Sequence, residues 1–147
     1  MNRYEEKARA LFAEGANCAQ AVFAAFSDVT GIDEETARRL ASPFGGGMGR
    51  MREVCGAISG MLLVLGNREG YAAHDDAEKA RVYATVQMLA ERFREEHGSI
   101  ICRELLGGNP SAAPTPTPRT EGYYKKRPCG DMVGTAARIL AEHLGLS

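Results

Sequence analysis

The sequence predicts an all-α fold: a single-domain helical bundle of about six or seven helices around a buried central helix. Three observations carry this. Apolar residues recur at helical spacing in segment after segment. Glycine and proline separate those segments. No stretch alternates convincingly in the manner of a strand. The chain has 147 residues, the size of one compact domain, and 44% of them are hydrophobic, enough to bury a core without covalent staples.

Asn2 predicts the start of a first helix, with Glu5 three residues on; Tyr4, Ala8, Leu11 and Phe12 form its apolar face and Gly15 its end. Asn17 caps a second, with Gln20 completing a box and Val22, Phe23, Phe26 and Val29 as its buried stripe. Asp33, Glu34 and Glu35 open a third, where negative charge suits the helix N-terminus, and Pro43 stops it. A glycine-rich loop, PFGGGMGRM, leads into a fourth helix over about 54–65. That helix is apolar almost all round and is the expected central one. Gly56 and Gly60 share one of its faces and leave room for another helix to approach.

The fifth and longest helix runs over about 76–96, capped by Asp75. Val82, Val86, Leu89 and Phe93 mark its core side, and the charged residues around them read as a solvated face. Ser99 caps a short sixth helix that ends at Gly107. The segment 108–127 holds four prolines and reads as an irregular, proline-rich loop within the domain. A last helix extends from Pro128 to about Leu144, with Val133, Ala136, Ala137 and Leu140 facing inward.

Composition excludes several functions. Lys and Arg total 18 against 19 Asp and Glu, so the basic stripe of a nucleic-acid binder is missing. The first residues, MNRYEEKARALF, carry acids where a secretory signal needs an apolar stretch. The longest apolar run falls far short of the roughly 20 residues that span a bilayer. The expectation is a cytoplasmic protein without membrane insertion or a nucleic-acid partner.

The chemistry is expected at four cysteines, Cys18, Cys55, Cys102 and Cys129. They lie far apart, so neither a C-x-x-C redox motif nor a zinc ribbon is present. Each falls in the first turn of a predicted helix, where unpaired amides and the helix dipole favour thiolate. Arg50 and Arg52 precede Cys55, Arg103 follows Cys102, and Lys125, Lys126 and Arg127 precede Cys129, which adds positive charge. Cysteine also fills cores without doing chemistry, and that reading stands beside this one. Gly45, Gly46, Gly47 and Gly49 either offer backbone amides to an anion or cofactor, or allow close backbone approach around Cys55. No G-K-[ST] follows them, so the phosphate-loop fingerprint fails. His74, His97 and His143 form no catalytic pattern; the last two sit where a histidine complements a helix C-terminus.

These stretches resemble a family of redox-active proteins named for its cysteine signature, C-GCAxxG-C-C. The resemblance rests on NCAQAV from Asn17, FGGGMGRMREVCGAISG from Phe44, SIICRELLG from Ser99 and PCGDMV from Pro128. It covers nearly the whole chain. The family name spells G-C-A-x-x-G where this chain reads Cys55-Gly56-Ala57-Ile58-Ser59-Gly60. The resemblance implies a small bacterial or archaeal protein with redox-active cysteines, and selenoprotein relatives imply that at least one cysteine position is chemical. It implies no particular substrate.

Three functions follow. The first is thiol–disulfide chemistry with a redox partner protein or a small thiol or disulfide, and with no cofactor required. The second is a zinc or iron–sulfur site built from the same four cysteines. The third is a helical interaction protein whose cysteines only pack. The four thiols are expected to converge, Cys55 to be the most reactive, and segment 108–127 to act as a mobile lid over them.

Overall fold

The computed structural model describes residues 1–126 and 128–147. Among them are nine α-helices and one 3-10 turn: α1 (Arg3–Ala13), α2 (Cys18–Ala25), α3 (Ser27–Thr30), α4 (Glu34–Ala41), the turn Ser42–Phe44, α5 (Gly56–Glu69), α6 (Asp76–His97), α7 (Cys102–Leu106), α8 (Glu121–Lys126) and α9 (Cys129–His143). The all-α expectation holds. Two short elements raise the helix count. The expected second helix breaks at Phe26 into α2 and α3, and α3 ends on left-handed Gly31. The second addition, α8, lies inside the segment expected to be irregular throughout.

Helix starts follow local chemistry. Asn2 Oδ1 accepts from the amides of Tyr4 (2.8 Å) and Glu5 (3.4 Å). Asn17 and Gln20 form a reciprocal capping box. Asp33 accepts from the Thr36 amide, and Asp75 from the Ala77 and Glu78 amides. Such caps each contribute about 1 kcal/mol.

The core lies where α1, α2, α5 and α9 meet. α5 is buried through Leu65 on most sides, and α2 shares the centre, packed against α1, α4, α5 and α9. The α2–α5 contact depends on missing side chains. A Cβ at Gly60 would stand 2.6 Å from Ala19 O and 3.1 Å from Val22 Cβ. The two backbones therefore approach closely, and dispersion rewards every matched atom pair. On the other side, Arg9 of α1 reaches α9, donating to Asp131 Oδ1 (3.0 Å) and Gly130 O (3.3 Å) while paired with buried Glu5. Tyr4 stacks on Phe26 with ring centroids 4.6 Å apart. Phe93 and Leu89 anchor the second half of α6; its first half stands more exposed, with Val82 and Val86 only half-buried. No helix among the described residues is long and apolar enough to cross a membrane.

Candidate functional site

Each cysteine stands at a helix start. Cys18, Cys102 and Cys129 are the first residues of α2, α7 and α9, and Cys55 is the N-cap of α5. Two details differ from the sequence expectation. Pro128 is the N-cap of α9 rather than its first helical residue. Ser99 lies outside α7: its hydroxyl accepts from the Ile101 amide (3.0 Å) and donates to Glu104 (2.7 Å), while Ile101 is the N-cap.

Cys55 and Cys102 are held by an isolated antiparallel bridge between Val54 and Ile101. The Cys55 amide donates to Ile100 O (2.8 Å) and the Cys102 amide to Glu53 O (2.6 Å). The preceding loop has an unusual backbone. Gly46, Gly47, Met48, Gly49 and Arg50 are consecutive residues with φ between 57° and 72°, and Arg52 follows at 62°. For non-glycine residues this left-handed region costs on the order of 1–2 kcal/mol each. The amides of Met48 through Glu53 are taken up by carbonyls of residues 43–48, which fixes the turn.

The loop glycines act by close approach, though not around Cys55 as expected. A Cβ at Gly47 would lie 2.7 Å from Cys102 Cβ, and one at Gly45 would lie 2.5 Å from Asn17 Nδ2. The loop thus presses on Cys102 and on the cap that precedes Cys18. Gly56 completes the contact, since a Cβ there would meet Cys18 Cβ at 3.2 Å.

All four cysteines line one cavity of about 390 Å³, together with Gly45, Gly46, Gly47 and Gly49. Cys18 and Cys129 are partly exposed; Cys55 and Cys102 are buried at 5% and 8% exposure. The Cys18 thiol is hydrogen-bonded to Cys129, and this bond, then burial, then the negative charge on Cys129 raise its pKa well above the usual range. Cys18 therefore holds its proton at neutral pH.

Cys55 departs from the expectation of an acidic thiol. Burial pushes its pKa up to about 12, and the opposing Ala57 and Ile58 amides do not offset that. Its basic neighbours point elsewhere. Arg50 donates to Ala113 O, Thr115 O and Thr117 Oγ1. Arg52, 6% exposed, donates to Ser111 O at 2.9 Å and to Cys102 Sγ at 3.7 Å. Arg103 pairs with Glu53 (3.2 Å) rather than bearing on Cys102. Arg127 lies outside the described residues, as do the side chains of Lys125 and Lys126.

The proline-rich segment runs along the cavity as a strap and contributes Pro114, Pro116 and Thr117 to its wall. Arg50 and Arg52 hold it through Ser111, Ala113, Thr115 and Thr117, every second residue along the segment. Arg119 fixes its far end, donating to Phe12 O (3.2 Å) and Ala16 O (3.0 Å) and stacking over Phe12 and Tyr123. Sequence reasoning missed Arg119 and the Arg52–Cys102 contact. The available signal was Arg119 ahead of Tyr123 and Tyr124, a cation beside two aromatic rings.

Among the described residues, no three Cys, His, Asp or Glu side chains are grouped so as to hold a metal ion. As arranged, the four thiols do not fit a zinc or cluster site. His97 Nε2 and Thr135 Oγ1 lie 2.9 Å apart, and His143 Nε2 and Glu69 Oε2 2.8 Å, contacts that join helices away from the cavity.

Fold and site together define a class: an all-helical protein with four thiols gathered at helix starts around one cavity. The family model described as "Putative redox-active protein (C_GCAxxG_C_C)" matches residues 16–143, which hold all four cysteines, and the chain belongs to this family. No curated protein and no solved structure matches the chain.

Proposed function

We propose that the protein carries out thiol–disulfide exchange with Cys129 as nucleophile and Cys18 as the resolving thiol. The Cys18–Cys129 hydrogen bond carries this reading. It joins two cysteines, each at the first turn of a helix of eight or more residues, where the dipole favours thiolate. Accessibility supports the same choice, because this pair is more exposed than Cys55 and Cys102.

The step balances as follows. The Cys129 thiolate attacks one sulfur of a substrate disulfide, R–S–S–R′, forming a mixed disulfide and releasing R′–S⁻. Cys18 gives up its proton to that leaving group or to water. Its thiolate then attacks the Cys129 sulfur, forming Cys18–Cys129 and releasing R–S⁻. Two protein thiols are oxidised and one substrate disulfide is reduced. A dithiol reductant or a redox partner protein restores the starting state, as suits a reducing cytoplasm. Cys55 stays a protonated thiol at neutral pH, and Arg52 donates to the Cys102 sulfur.

The test is mild oxidation of reduced protein followed by peptide mapping. The expected product is a Cys18–Cys129 disulfide, absent from Cys18→Ser and Cys129→Ser and retained in Cys55→Ser. A Cys55–Cys102 disulfide as the main product, or thiols inert throughout, would overturn the assignment.

A further inference from the structure

The described cavity wall carries Arg50, Arg52 and Arg119 and no aspartate or glutamate. This is a local separation of charge, since the whole chain is close to neutral. Other arginines are ion-paired: Arg9 with Glu5 and Asp131, Arg138 with Glu96 and Glu142. Arg52 and Arg119 instead meet carbonyl oxygens, ring faces and, for Arg52, one sulfur. A guanidinium as buried as Arg52 is costly to hold without a nearby negative charge. The Cys102 sulfur is one acceptor for it, and an entering anion would supply the missing charge.

We infer that the cavity takes a small anionic disulfide, one with carboxylate groups flanking its S–S bond; this rests on the thiol-exchange reading. The planar fork of arginine matches a carboxylate in two hydrogen bonds. The volume of about 390 Å³ lies toward the small end of ligand sites. The strap forms part of the wall, and a cavity of this size admits a small molecule more readily than the surface of a folded protein. Exchange also releases a thiolate into the cavity that the same guanidinium groups line, which favours the charge it produces. Electrons pass between sulfurs alone, and the carboxylates serve only in recognition.

The experiment uses the full reduced chain and three symmetric disulfides: dithiodipropionate (anionic), hydroxyethyl disulfide (neutral) and cystamine (cationic). Each rate is divided by the rate with a free small thiol under the same conditions. The anionic substrate should lead the neutral one by about 10-fold or more, within the range that charged clefts confer, and the cationic one should be slowest. The lead should shrink as salt rises from about 0.01 M to about 1 M, where the screening length falls from about 30 Å to about 3 Å. Arg50→Gln and Arg119→Gln should each lower the anionic-to-neutral ratio several-fold. Equal normalised rates, or a ratio unmoved by salt and by both variants, would overturn the anion site while leaving thiol exchange in place. If none of the three disulfides reacts, the exchange reading fails, and calorimetry with non-reducible thiodipropionate against its uncharged diol analogue decides the anion site. Tighter binding of the dicarboxylate supports the site, and equal or absent binding overturns it.

Discussion

The two cysteine pairs share a residue type, a helix-start position and one cavity, yet they differ in almost every physical respect. Cys18 and Cys129 are partly exposed and hydrogen-bonded to each other. Cys55 and Cys102 are buried, and their amides are locked into a backbone bridge. Position at a helix start favours thiolate in both pairs, but burial reverses that preference at Cys55. Local placement therefore proposes a reactive cysteine, and desolvation decides whether it becomes one.

The largest effect that would break this contrast comes from the nucleophile. Cys129→Ser should slow disulfide exchange by roughly 10³-fold or more, whereas Cys55→Ser should change it by less than about threefold. Stopped-flow rates with a chromogenic disulfide measure both. Equal losses would erase the distinction between the pairs.

Next is the packing that brings the pairs together. Gly60→Val places atoms against the Ala19 carbonyl and Val22, and should destabilise the fold by about 3 kcal/mol. Gly66→Ala, further along α5 with nothing within 4 Å of a Cβ, should instead stabilise it by about 0.5–1 kcal/mol. Urea unfolding of the two variants should move in opposite directions.

The pH dependence is smaller and separates burial from charge. An unfolded thiol ionises near ~8.5. The folded pKa of Cys55 is raised to about 12, and that of Cys18 is raised as well. The native state then binds more protons than the unfolded state above ~8.5. The stability from each protonated thiol is complete below that pH and is lost as pH rises toward the folded value, by at most about 1.4 kcal/mol per pH unit per group. Cys55→Ser should flatten this alkaline decline in urea titrations. A variant with the same slope as the parent would show that Cys55 is not desolvated.

The smallest effect sharpens the contrast from the side of the exposed pair. Asn17→Ala removes the capping box ahead of Cys18 and should cost about 1 kcal/mol. It also removes the bond to Ser42 O. Alkylation of Cys18, the residue that follows this cap, should change more than that of Cys102.

What was legible in the sequence was local. A side-chain oxygen at Asn2, Asn17, Asp33 or Asp75 reaches an amide two or three residues away, so spacing alone identifies the cap. Asn17 placed Cys18 and Pro128 placed Cys129 at helix starts, while Cys55 was placed from the glycine loop and Cys102 from Ser99, which lies outside α7. The hidden part depends on contacts across the chain. Nothing near Arg52 announces that its guanidinium turns toward a residue 50 positions later. The left-handed run through Met48 and Arg50 is likewise a property of dihedral angles that tertiary contacts hold in place. A smaller miss had a local sign: Thr120 Oγ1 accepts from the Tyr123 amide, a cap for α8 inside the proline-rich segment.

Because Val54 and Ile101 lie side by side, the chain between them leaves one point and returns to it. That excursion is α5, an exposed turn and α6. Its two ends are moored beside the thiols, and its far tip, residues 70–75, points away from the bridge as a separate terminal. The arrangement works like a cassette seated in the core along α5, with an exposed tip. Residues added at the tip would lengthen the cassette without moving Cys55 or Cys102, so this is where the molecule can acquire new surface while its sulfur chemistry stays unchanged.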